Sequence, residues 1–327
     1  FADKNRVAKE SLDQERRETE EHSATFHRRR YYHAPDCLII LRSEYLMPMK
    51  KLLRLILLLT TTMVVMNSCA TVEDVAPYAA LPPQGTRSSS LLLIVHGSGD
   101  TADSWPLDLE EAIESEFGQR PEWDIVRLDW APIAERRLRA TEVGRELGRR
   151  IASEITGGAY NYELIHMIAH SVGAHVVHAA TSGIREYEKM NRLLPRHRLV
   201  IHQTLLDPFV GNSIVDWSFG ESRFGTGADF AFSYMTSEDR TPMTNDYPIN
   251  AHNLDLSRSS LASDLKHAAE SHYLPVLFYR QSVAATEETG PGFSLSPYAW
   301  ANTMTRRELL ASYDLFRELY PSGSVSP

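Results

Sequence analysis

The residues best suited to chemistry are Ala169-His170-Ser171-Val172-Gly173. Ser171 stands between small residues, after an apolar run and before an Ala- and Val-rich one. A strand feeding such a segment into a helix makes a sharp turn that thrusts the serine outward. A serine hydroxyl is a poor nucleophile until a base removes its proton. That base is normally a histidine held in the right tautomer by a carboxylate. Acid candidates are Asp207 in Leu206-Asp207-Pro208, and Glu238 or Asp239 further on. Base candidates are His252, His267 and His272. His267 lies in a charged helical stretch and His252 in a loop-like Asn250-Ala251-His252-Asn253. His272 precedes the apolar Tyr273-Leu274-Pro275-Val276-Leu277-Phe278, at a loop-to-helix junction, and is preferred. The acid stays open at this level, because strand counting does not choose between the two positions.

Regular elements must hold these groups. Leu91 to Val95 is a continuous aliphatic run stopped by His96-Gly97-Ser98-Gly99, as suits a strand buried on both faces. Further strands are expected at Trp123–Trp130, Leu164–Ile168, Arg198–Leu206 and Phe230–Thr236, with a short extra one at Asn253–Leu256. Helices are expected at Asp108–Phe117, Ala134–Ile155, Val172–Ser182, His272–Val283 and Thr305–Leu319. Strands alternating with helices mean a mostly parallel sheet covered on both faces. Ligands of such sheets bind beyond the carboxyl ends of the strands, where Ser171 and Asp207 fall. A serine at such an elbow defines the α/β-hydrolase fold, whose catalytic groups follow in the order Ser, acid, His.

Several segments, taken in order, resemble the pancreatic-lipase-like branch of the α/β-hydrolases. Ile94-Val95-His96-Gly97 with Trp105 is similar to the family's strand and oxyanion loop. Leu128-Asp129-Trp130 resembles its Val-Asp-Trp segment, and His166 to His175 its nucleophile segment. Leu206-Asp207-Pro208 is similar to its acid segment, and Ser271-His272-Tyr273-Leu274 with Phe278-Tyr279 and Ser282 to its histidine segment. The likeness runs from about Leu91 to Ser296. It implies a Ser171–Asp207–His272 triad. It also implies an oxyanion hole from the backbone N–H groups of Val172 and Ser98, and an ester substrate, with lipids foremost. The family's secreted members carry disulfides, whereas the two cysteines here, Cys37 and Cys69, both precede the domain. Phe209 to Gly227 does not read as a long cysteine-closed lid.

Composition sets the remaining bounds. The chain has 327 residues, 43% hydrophobic and 24% charged, with a formal net charge of −9. Those fractions suit a globular domain and argue against non-specific nucleic-acid binding. No cofactor is implied and no metal-ligand spacing is seen. His166, His170, His175 and His178 crowd one region, but without a cysteine or a close carboxylate set they read as packing groups. A hydrolase-like domain that only binds a ligand is the alternative reading.

The N-terminal third carries an export layout. Met49-Lys50-Lys51 leads into the apolar Leu55 to Met66, then Asn67-Ser68-Cys69-Ala70. The apolar run is short for a permanent membrane span. A small residue before a cysteine resembles a bacterial lipoprotein signal, with Cys69 lipidated as the mature terminus. Residues 1–48 then read as an upstream segment outside the fold, 49–68 as signal peptide, 69–90 as tether and 91–327 as the hydrolase domain. The expected location is an outer-membrane lipoprotein, anchored by its lipid and facing the periplasm or the cell surface.

Overall fold

Leu91, Leu93 and Val95 point to one side of a sheet and Leu92 and Ile94 to the other, and all five are buried. The uninterrupted aliphatic run therefore works as expected, with both faces of strand β1 (Ser90–Val95) covered. The structure, a computed structural model, describes residues 72–135, 139–212, 216–237, 241–257, 271–284, 292–300 and 304–319. All of them belong to one unit, Thr62–Pro327. The upstream segment, the signal and both cysteines lie outside the described residues, as do Glu238, Asp239 and His267.

Five further strands complete the sheet: β2 (Trp123–Leu128), β3 (Leu164–His170), β4 (Val200–Leu206), β5 (Phe230–Met235) and β6 (His252–Asp255). Their order is β2-β1-β3-β4-β5-β6, and every pair is parallel. The chain moves outward from β1 to β2, then returns to build β3 on the other side of β1. That reversal leaves a gap between the carboxyl ends of β1 and β3, the place where parallel sheets bind ligands. His96-Gly97 leaves one side of the gap and Ser171 the other.

Two helical layers cover the sheet. On one face lie α1 (Val72–Ala79), α3 (Ala140–Thr156) and α4 (Gly173–Met190). Val143, Leu147 and Ile151 of α3 pack there with Ala174, Val177 and Ala180 of α4, over Leu93, Ile165 and Met167. On the other face lie α2 (Trp105–Phe117), α5 (Leu274–Gln281) and α6 (Arg306–Leu319). Leu109, Ile113, Leu274 and Tyr313 pack there against Ile94, Phe230 and Phe232. Helices α3 and α4 touch backbone to backbone at Gly148, where a Cβ would overlap the Val176 carbonyl.

The elements depart from expectation in three instructive places. The stretch read as a tether carries α1, whose Val75 and Ala79 are buried in the core, and Leu81 follows them in. Its apolar positions were masked by the Pro- and Ser-rich residues after it, and their burial depends on α3, which lies far along the chain. The helix expected over Ala134–Ile155 is present but starts later, as α3 at Ala140, after a separate single turn at Ala131–Ala134. Pro132 suits the opening of that turn, where a missing N–H costs nothing. Helix α4 runs past Ser182 to Met190, because Gly183 lies against Ala152 and close packing outweighs glycine's poor propensity.

Candidate active site

Ser171 follows β3 directly and has φ +52, a left-handed conformation that is rare outside glycine. The turn is bolted down on both sides. The Ser171 N–H donates to the Leu206 carbonyl at 3.0 Å, and the Ser171 carbonyl accepts from the N–H of Phe209 at 3.1 Å. Helix α4 begins two residues later at Gly173. A Cβ there would stand 2.9 Å from the carbonyl oxygens of both Val95 and His96. Only glycine allows the helix to start so close to β1, and that closeness is what pushes the serine out.

The next strand supplies a carboxylate. Asp207 directly follows β4 with φ +43, is fully buried, and its N–H donates to the Tyr234 carbonyl at 2.7 Å. Oδ1 accepts the Thr236 N–H at 3.2 Å. Oδ2 lies 2.7 Å from Nδ1 of His272. A carboxylate oxygen only accepts, so Nδ1 carries the proton and Nε2 is left with its lone pair.

His272 occupies a 3-10 turn, Ser271–Tyr273, immediately before α5. Pro275 in the first turn of α5 helps fix where the helix begins. The ring of His170, the residue before Ser171, lies against that of His272 with centroids 4.6 Å apart. Strand β3 and the turn that holds His272 are thereby brought together. His252 goes elsewhere: it opens edge strand β6 and stacks on Phe230 at 5.1 Å.

The loop after β1 lies over the serine. Gly97 is so near that a Cβ on it would stand 3.0 Å from Cβ of Ser171. Ser98 and Gly99 are exposed at the tip of this loop. Among the described residues, the N–H groups of Ser98 and Val172 meet no intramolecular acceptor. Trp130 steadies the base of the loop by donating its indole N–H to the His96 carbonyl at 3.1 Å.

The crowded histidines pack. His166 sits between Thr204 and Ser296, each 2.9 Å from one ring nitrogen. His175 donates to the Phe209 carbonyl at 3.0 Å, and both His175 and His178 lie against Phe219 and Phe224. Burial pulls the imidazoles of His166 and His175 down to about 3 and that of His178 to about 4, so all three are neutral. Among the described residues, no group of three His, Cys, Asp or Glu side chains converges as a metal site.

Two further residues face the site: Asp100, which no motif includes, and Tyr273, which the histidine segment contains but to which it gives no role. They are joined by a 2.6 Å hydrogen bond across 173 positions of the chain. Asp100 stands only four residues past His96, but no local pattern marks what it would meet.

An all-parallel sheet in the order 2-1-3-4-5-6, clad on both faces, with a strained serine between β3 and its helix, defines the α/β-hydrolase fold. No protein-family model and no curated protein matches the chain. Among solved structures, lipase B of Aspergillus fumigatus is similar at 14% identity and a TM-score of 0.40. The likeness covers 80% of this chain and 71% of that one.

Proposed function

We propose that the protein is a serine hydrolase that cleaves carboxylic esters, lipid esters foremost, with Ser171 as nucleophile, His272 as base and Asp207 as the orienting acid. The observation that carries this reading is the 2.7 Å contact between Asp207 and His272 Nδ1, made beside a serine held at φ +52. With Nδ1 protonated, Nε2 of His272 is the basic nitrogen that takes the Ser171 proton as Oγ attacks the ester carbonyl. The tetrahedral oxyanion is received by the N–H groups of Val172 and Ser98. Each such donor is worth about 2.7–4 kcal/mol of barrier. His272 then returns the proton to the leaving alcohol, and water repeats the sequence on the acyl-enzyme. Asp207 stays ionised throughout and steadies the imidazolium. The segment likeness to pancreatic-lipase-like enzymes supports the lipid preference. Cys69, after its short apolar run, supports export and a lipid tether.

The test is labelling with a fluorophosphonate probe, together with hydrolysis of nitrophenyl esters of graded acyl length. The wild type is expected to label and to turn over, and folded Ser171→Ala to do neither. Failure of the wild type on both counts would reject the enzyme reading. Full labelling of Ser171→Ala would move the nucleophile elsewhere.

A further inference from the structure

The oxyanion loop, the nucleophile and the base come from three distant parts of the chain, and one buried carboxylate touches all three segments. Asp100 closes the loop His96-Gly97-Ser98-Gly99 and is 8% exposed. Its Oδ1 accepts the Tyr273 hydroxyl at 2.6 Å, and Tyr273 is the residue after His272. Its Oδ2 faces Nδ1 of His170 at 3.4 Å, a contact too poorly aligned to count as a hydrogen bond. Nε2 of His170 donates to the main-chain carbonyl of His272 at 3.2 Å. The His170 ring is wedged against His272 at 4.6 Å and Tyr273 at 4.9 Å, with the edge of Trp105 at 6.1 Å.

We infer that Asp100 is a positioning residue: bound by Tyr273 and set against His170, it holds the loop that carries the Ser98 donor in register with Ser171 and His272. This rests on the proposed roles of those two residues. The loop needs such an anchor. Gly97 and Gly99 give it freedom, Gly99 at φ +89, and its tip at Ser98 and Gly99 is exposed. Gly97 against Ser171 fixes one end, and Asp100 fixes the other. Burial alone would push the Asp100 carboxyl up. The hydrogen bond donated by Tyr273 works the other way, and the carboxyl lies below the ordinary range, so it is an ionised acceptor. Burial and the neighbouring carboxylate both raise the Tyr273 hydroxyl, which keeps its proton to donate. An oxyanion donor acts only if it waits in place, and a misplacement of about 1 Å can cost on the order of 100-fold in rate.

The test measures kcat and KM of the full chain on a nitrophenyl ester, with thermal unfolding as a check on folding. Asp100→Ala is expected to lower kcat by roughly 10- to 100-fold while KM stays close to wild type. Asp100→Asn keeps an oxygen for the Tyr273 hydroxyl and should recover part of the loss. Tyr273→Phe should lose less than Asp100→Ala, and combining the two should cost no more than Asp100→Ala alone, as for partners in one contact. Unchanged kcat in folded Asp100→Ala overturns the inference, as does a loss confined to KM. Should Asp100→Ala fail to fold, unchanged kcat in both Asp100→Asn and Tyr273→Phe overturns it. A wild type that neither labels nor hydrolyses any ester rejects the roles of Ser171 and His272 themselves. That result differs from active wild type with indifferent Asp100 variants.

Discussion

Nδ1 of His272 meets Oδ2 of Asp207 at 2.7 Å although 65 positions separate the two residues in the chain. The contact sets the tautomer. Asp207→Asn preserves volume in a fully buried position but offers an amide that can donate to Nδ1, stranding the proton on Nε2. We expect kcat to fall by about 10⁴-fold with the fold retained. Steady-state kinetics beside Asp239→Asn checks the choice of acid. A larger loss in Asp239→Asn would transfer the role to the segment after β5.

Gly173 at the start of α4 invites the opposite of the usual helix rule. Alanine in place of glycine in a helix normally stabilises by up to about 1 kcal/mol. Here the new methyl would stand 2.9 Å from two carbonyl oxygens of the β1 end, atoms that cannot turn aside. Gly173→Ala is expected to destabilise by about 1–3 kcal/mol, and to slow hydrolysis because the elbow shifts with the helix. Urea unfolding reads the first effect and probe labelling the second. A stabilised variant would contradict so close an approach.

Stability should fall in mild acid. Burial lowers the imidazoles of His166 and His175 to about 3, whereas in the unfolded chain they titrate near 6.5. Between those values the unfolded state binds more protons than the folded one. Each group then removes about 1.4 kcal/mol per pH unit as the pH drops below 6.5. Ordinary carboxylates enter only below about pH 4, so the window from 6 to 5 belongs to histidine. Denaturation midpoints are expected to be flat between pH 7 and 8 and lower at pH 5. An equal or higher midpoint at pH 5 would show that these rings accept protons without cost.

Cys69 is expected to carry lipid. When the chain is expressed in a bacterium with its own N-terminal region, a palmitate analogue should label it, and it should fractionate with membranes. Cys69→Ser should lose the label. Undiminished labelling of that variant would rule out this cysteine as the acceptor.

Much of the scaffold was written locally. Leu91 to Val95 announces a doubly buried strand, and the strand begins one residue earlier and ends at Val95. Alternation of strand and helix patterns announces the sheet, and every expected strand is present within about three residues of its bounds. Ser171 could be recognised because an elbow is a short-range device: small residues on both sides, a strand before and a helix after. His272 could be preferred for its junction with an apolar helix. Helix α1 reads as tether in the sequence because its value lies in Val75 meeting a core assembled by later residues.

By itself the sequence determined the strands, most of the helices and a serine on a strained turn, because periodicity, small residues and proline act over a few positions. Strand counting left open which acid meets His272, a choice made only by the family resemblance, and nothing in the sequence signalled that Asp100 meets Tyr273. Those pairings depend on strand order. Only once β3 returns beside β1, with β4 next to it, do the ends that carry residues 96–100, 171 and 207 share one edge. The turn holding His272 packs onto that edge. Distances across such an edge are set by packing of whole layers, and no window of neighbouring residues contains them.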